Sequence, residues 1–177
     1  MKIAVYCGST AGNDPAFVNA AFELGVWMGE NGHELIYGGS HTGLMGAVAD
    51  GVLSAGGSVT GVVPDVPVIR SRMHPGLTSV VETDSMAERK SCMIRRADAF
   101  LALPGGLGTL DEITEVLSLK SLGLTEGPVL LYSVNGYYEP MKAVFSGILR
   151  SEFGKPAYFE GVSFPEDLDE VARALEG

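Results

Sequence analysis

Residues able to do chemistry concentrate in LPGGLGTLDEITE, Leu103 to Glu115. Gly105, Gly106 and Gly108 follow an apolar run and a proline, then come Thr109, Asp111, Glu112 and Glu115. A glycine turn that opens a helix presents backbone N–H groups and suits an anion such as phosphate. Carboxylates suit the opposite charge. Two like unit charges at ~4 Å and an effective dielectric of ~20 repel by about 4 kcal/mol. If Gly105, Gly106, Leu107, Gly108 and Thr109 hold a phosphate, the acids must face another part of the ligand. Glu112, Glu115 and Ser118 share one helical face at spacings of three, where a sugar beside the phosphate would lie. A carboxylate next to a ribose suits glycosidic cleavage, because it stabilises an oxocarbenium cation, orients water or relays a proton. The same residues also read as Thr109 capping the helix with Glu112 three positions on, a capping box with no function attached. Spacing leaves both accounts open.

Arg89 and Lys90, in ERKSCM, are the adjacent cations nearest in sequence to this turn. Arginine suits bidentate contact with phosphate or carboxylate. A solvated helix surface is the other reading of the same charges.

Two further glycine-marked segments, CGST (7–10) and YGGSHTGLMG (37–46), follow apolar runs and bring Ser9 and Gly39 forward as binding residues. The dinucleotide fingerprint is incomplete, since Asp111 stands where its third glycine or alanine belongs, and there is no P-loop GxxxxGK[ST]. An NAD enzyme or an ATPase is disfavoured.

The elements that must carry these residues alternate along the chain. KIAVYC, HELIYGG, SVTGVVP, TSVVET, AFLALP and PVLLYS read as strands. Helices are expected from Asp14-Pro15, over GLMGAVADGVLSAGG, over 84–98, after Thr109, after GYY and in the tail. Residues 64–77, with three prolines, read as a loop. Near-continuous apolar strands between helices predict an α/β, Rossmann-like, doubly wound and mainly parallel sheet with helices on both faces. Its ligands would lie beyond the strand C-termini. No linker or repeat divides residues 1–177, so one domain is expected.

Composition narrows the partners. The 177 residues are 46% hydrophobic and 19% charged, with net charge −10. Such an acidic chain is a poor nucleic-acid surface, while a small anion can still find local cations. No apolar stretch is long enough to span a bilayer, and MKIAVYCGST reads as a strand rather than a signal peptide, so a cytoplasmic protein is expected. Cys7 and Cys92 read as buried free thiols. His33, His41 and His74 show no metal-ligand spacing, so no metal is assigned.

The segments also carry a resemblance. ERKSCM with Met86 before it resembles the MxxRKxxM segment of the Lonely Guy family, and PGGLGTLDE (104–112) matches that family's PGGxGTxxE motif at every fixed position. YGGSHTGLMG, GVVP and GYY resemble family segments in the family's order. The resemblance implies a cytokinin riboside 5′-monophosphate phosphoribohydrolase, which cleaves the N-glycosidic bond of AMP or an N6-substituted AMP to free base and ribose 5-phosphate. It implies Arg89 and Glu112 as the catalytic pair and nucleotide contacts from Lys90 and the loop Gly105 to Thr109. It further implies a homodimer or larger assembly, with no metal or organic cofactor. SLKSLG (118–123) departs from the TWxQLG of relatives, which bears on base preference and subunit contacts. The alternative is a non-catalytic nucleotide-binding or molybdenum-cofactor-binding protein. Lysine decarboxylase, a label attached to the family, would need a lysine Schiff base to pyridoxal phosphate.

Overall fold

The apolar runs form strands whose alternate side chains feed two separate cores. In β1 (Lys2–Tyr6), Ile3 and Val5 join one core, and Ala4 and Tyr6 join the other. A strand buried on both faces shows no polar alternation, which is why these runs read as continuous. The computed structural model describes residues 1–176. Six further strands complete the sheet: β2 (Glu34–Tyr37), β3 (Ser58–Pro64), β4 (Ser79–Thr83), β5 (Ala99–Ala102), β6 (Val129–Leu131) and β7 (Val162–Ser163). Their order is β4-β3-β2-β1-β5-β6-β7, with every pairing parallel.

Helices α1 (Pro15–Glu30) and α2 (Gly43–Ser54) cover the first face. A short α3 (Pro67–Arg70) follows β3, and α4 (Met86–Arg96), α5 (Leu107–Ser121) and α6 (Glu139–Arg150) cover the second face. The last helix, α7 (Leu168–Glu176), returns to the first. The architecture is the expected Rossmann-like doubly wound α/β sheet. Helices α1 and α2 pack closely because Gly25 and Gly51 have no side chain. A Cβ at Gly25 would lie 2.2 Å from the Val48 carbonyl oxygen, and one at Gly51 2.3 Å from that of Phe22.

Two expected helix starts are realised. Asp14 caps α1 by accepting from the Ala16 N–H, and Ser85 caps α4 by accepting from the Glu88 N–H. Local sequence pattern does not mark α3 or β7. The four residues of α3 lie inside the proline-containing loop, and the two residues of β7 are too few to show a period.

The chain moves from β1 outward to β4, then crosses back to lay β5 on the other side of β1. Strand order therefore reverses between β1 and β5, where such sheets open a crevice. Tyr6 pairs with Ala102, so the two strands end level. The following loops meet at once, and the Gly8 N–H donates to the Pro104 carbonyl at 3.0 Å.

Candidate active site

Arg89 and Glu112 come from different helices and meet above this crevice. Arg89 lies on α4, and its Nη1 donates to Glu112 Oε1 on α5 at 2.8 Å. Arg89 Nε donates to the Val62 carbonyl at 3.1 Å, which ties the guanidinium to the end of β3. The pair is withdrawn from solvent, with side-chain exposures of 9% and 12%. Gly38 makes this placement possible. A Cβ there would sit 1.9 Å from Arg89 Nη2 and 2.7 Å from Met45 Cε.

Burial pushes the Glu112 carboxyl above its ordinary value, and the Arg89 guanidinium opposes that rise. Desolvation disfavours the carboxylate, and the adjacent cation restores part of it. The result is a desolvated acid held in one orientation, suited to a developing positive charge or a proton in flight.

A cleft of about 440 Å³ connects this pair to the glycine turn. Cys7, Ser9, Gly106, Leu107, Gly108 and Thr109 line it together with Arg89 and Glu112. Helix α5 begins at Leu107, with Gly106 as its N-cap. The first N–H groups of a helix have no partner within it, so the cleft receives the positive end of α5. Glu112 lies four residues beyond Gly108, about 6 Å along the axis at 1.5 Å per residue. The first N–H groups of α5 and the Glu112 carboxylate thus occupy one wall, separated along its length. A second cleft of about 200 Å³ shares Ser9, Met45 and Arg89 and adds Val68, Ile69 and Arg72. Its wall is largely aliphatic. The Cys7 thiol is pushed up by burial, and the Glu112 charge adds to that rise. The shift runs away from the thiolate a nucleophile needs.

The capping box at Thr109 is not formed. With Gly106 as N-cap, Thr109 falls on the third helical residue and Glu112 on the sixth. Thr109 is buried, its Oγ1 only 2.1 Å from where a Gly105 Cβ would stand. Glycine supplies the cap conformation without any side-chain bond, so sequence spacing placed the helix start three residues late. Glu112 is left to Arg89.

Among the other sequence-derived candidates, Ser9 lines both clefts, and Gly105 borders a neighbouring hollow behind the turn. Gly39 takes φ +81 and packs against Val63, so it shapes the turn after β2 rather than the cleft wall. Lys90 points along α5. Its Nζ is 2.9 Å from Asp111 Oδ2 and 2.6 Å from Glu115 Oε2. Those bonds, Glu115 foremost, raise its pKa. Glu115 is engaged by Lys90 outside the cleft, and Ser118 faces a groove between α5 and α6. Gly38 and Met45 were not singled out. The paired glycines of YGG were the available signal for Gly38, but only the path of the Arg89 side chain shows which of the two must lack a Cβ.

Two histidines make structural contacts. His74 is buried, with Nε2 3.0 Å from Asp50 Oδ1 and Nδ1 accepting from the Gly76 N–H. His41 Nδ1 lies 2.8 Å from the Arg72 carbonyl. Among the described residues, no three His, Cys, Asp or Glu side chains are grouped as a metal ion would require. No helix among them is long and apolar enough to cross a membrane.

A sequence profile described as "Possible lysine decarboxylase" matches residues 45–175. A probable cytokinin riboside 5′-monophosphate phosphoribohydrolase of Oryza sativa subsp. japonica is 43% identical over 144 residues, 81% of this chain and 65% of its own length. A cytokinin riboside 5′-monophosphate phosphoribohydrolase of Arabidopsis thaliana is 35% identical over 175 residues, covering 99% of this chain and 82% of its own length. The chain belongs to the Lonely Guy family. Segments 86–93 and 104–112 of this Lonely Guy chain, which carry the motif-like residues, bring Arg89 and Glu112 together. Similar solved structures include a molybdenum cofactor binding protein from the phototrophic bacterium Rippkaea orientalis, with TM-score 0.77, 19% identity and coverage of 99% of this chain and 94% of that one. The Moco carrier protein of Chlamydomonas reinhardtii has TM-score 0.76, 21% identity and the same coverages. Such identities establish a shared fold alone.

Proposed function

We propose that this protein is a nucleoside 5′-monophosphate phosphoribohydrolase. It hydrolyses the N-glycosidic bond of AMP or of an N6-substituted AMP such as a cytokinin riboside 5′-monophosphate. The observation that carries this reading is the buried Arg89–Glu112 pair, on the same cleft wall as the glycine-started end of α5. Phosphate occupies the N–H groups of Gly106 to Thr109. The ribose lies along the first turns of α5, with its anomeric carbon toward Glu112. The base takes the aliphatic cleft beside Met45, Val68 and Ile69. As the C–N bond breaks, the base leaves with the bonding electrons and positive charge develops on the ribose. The Glu112 carboxylate stabilises that charge and orients the attacking water, whose oxygen bonds to the anomeric carbon. The proton released by water balances the departing base. Arg89 fixes the Glu112 carboxylate and offers its remaining N–H groups to the ligand. Lys90 acts from outside, through Asp111 and Glu115.

Lysine decarboxylation is poorly served. A Schiff base forms from a neutral amine, and Lys90 is held as the cation by two carboxylates. A homodimer or larger assembly accompanies the proposed function. Exposed Val68 and Met73 beside the aliphatic cleft, with Val80 and Met86, supply apolar surface for it.

The test is a product assay over a panel of nucleoside 5′-monophosphates, without added metal or pyridoxal phosphate. Free adenine and ribose 5-phosphate are expected from AMP or its N6-substituted forms. Tight nucleotide or molybdenum-cofactor binding without base release from any nucleotide would overturn the hydrolase reading in favour of a carrier.

A further inference from the structure

The family-like GYY segment lies outside the Arg89–Glu112 pair, yet both of its tyrosine hydroxyls reach the glycine turn. The Tyr138 hydroxyl donates to the Leu103 carbonyl at 2.8 Å, and the Tyr137 hydroxyl donates to the Gly105 carbonyl at 2.5 Å. The carbonyl between them, on Pro104, accepts from the Gly8 N–H at 3.0 Å. Three consecutive carbonyls are therefore tied back, each by a different donor.

Carbonyl direction governs an anion site. In a planar trans peptide the C=O of one residue and the N–H of the next point opposite ways. Tying back the Pro104 carbonyl thus aims the Gly105 N–H, and tying back the Gly105 carbonyl aims the Gly106 N–H away from Tyr137. Gly106 borders the cleft that holds Arg89 and Glu112. Two adjacent glycines offer little resistance to rotation of the peptide that joins them. A Cβ at Gly106 would meet nothing within 4 Å, so only the Gly105 end of that peptide is packed, against Thr109 and Gly8, and its Gly106 end is open. Rotated by half a turn, it would present a carbonyl oxygen to the phosphate in place of a donor.

The tyrosines are themselves held. Tyr137 packs edge-on against Phe17 of α1, with centroids 5.6 Å apart, and against Tyr138 at 5.0 Å. Tyr138 is buried, and its N–H donates to Ser133 Oγ. The turn before them takes left-handed backbone at Asn135 and Gly136, and Asn135 Nδ2 donates to Asp14, the cap of α1. The start of α1 thus anchors the segment that anchors the glycine turn.

We propose that Tyr137 and Tyr138 are positioning residues for the phosphate loop, with the Tyr137 hydroxyl setting the direction of the Gly106 N–H. This rests on the assignment of the glycine turn to phosphate. The test is Tyr137→Phe, which keeps the ring and its packing and deletes the hydroxyl. Ribose 5-phosphate binding is measured by calorimetry, which requires no turnover, alongside thermal unfolding and steady-state kinetics with AMP. Kd for ribose 5-phosphate and KM for AMP are both expected to rise roughly five- to tenfold, as for one lost hydrogen bond. Because ground and transition states share the phosphate contact, kcat should stay within about twofold. Tm should be unchanged, since Tyr137 sits at the rim and its ring contacts persist. Wild-type affinity in the variant, or a fall in kcat in place of the rise in KM, would overturn the positioning role while leaving the phosphate site intact. Failure of the unaltered protein to bind ribose 5-phosphate would overturn the phosphate assignment and this proposal together.

Discussion

Replacing Glu112 with glutamine isolates charge from shape. The amide keeps an oxygen to accept from Arg89 Nη1, now 2.8 Å from the carboxylate, and occupies nearly the same volume. What disappears is the negative charge that the proposed mechanism sets toward the ribose. At ~4 Å, with an effective dielectric of ~20, that charge stabilises an adjacent cation by about 4 kcal/mol. At 1.36 kcal/mol per decade, kcat should fall by about a thousandfold. KM should change less than about threefold, because the proposed phosphate site is the start of α5 and not Glu112. The assay is chromatographic detection of adenine released from AMP, with thermal unfolding to verify that the variant is folded. A folded Glu112→Gln protein that retains more than about a tenth of the wild-type kcat would refute the electrostatic role, because less than ~1.4 kcal/mol would then separate acid from amide.

Three further outcomes are expected. Gly38→Ala puts a methyl carbon 1.9 Å from Arg89 Nη2, so Arg89 must move and activity should drop by at least ~100-fold in a folded protein; near-normal turnover would show that Arg89 need not sit where it does. Because burial raises the Glu112 pKa and the mechanism needs its ionised form, kcat/KM should fall with acid along a limb whose midpoint lies above the ordinary Glu value of about 4.3. A limb at or below that value would contradict the reading. The Tyr6 hydroxyl is buried without a protein hydrogen-bond partner, so Tyr6→Phe should leave stability unchanged or raise it by about 1 kcal/mol, read from denaturant unfolding; a loss above ~1 kcal/mol would mean the hydroxyl is satisfied after all.

The fold was largely legible because burial on both faces leaves an unmistakable mark. Strand segments such as IAVY and AFLA must be apolar throughout when helices cover each side, and Asp14-Pro15 and Ser85-x-x-Glu88 signal helix starts through local hydrogen bonds. Local rules failed where tertiary contacts took over. Thr109 has the residue type of a cap, yet it packs beneath Gly105 while Gly106 caps the helix. Glu112, Glu115 and Ser118 share a spacing, but Lys90 holds Glu115, the groove under α6 borders Ser118, and only Glu112 reaches the cleft.

Sequence alone thus determined which residue types are available and the order in which strands and helices carry them. Helical and strand periodicity, turn chemistry and caps act over a few residues, so they can be read along the chain. Which side chains meet is a different matter. Arg89 and Glu112 are 23 positions apart, joined only because β5 crosses back beside β1 and sets α4 next to α5. Tyr137 reaches Gly105 across 32 positions because α1 fixes the turn that bears it. No local propensity encodes those distances. They follow from packing two helical layers on one sheet, and that packing sets the N–H end of α5 and the Glu112 carboxylate at separate places along one cleft.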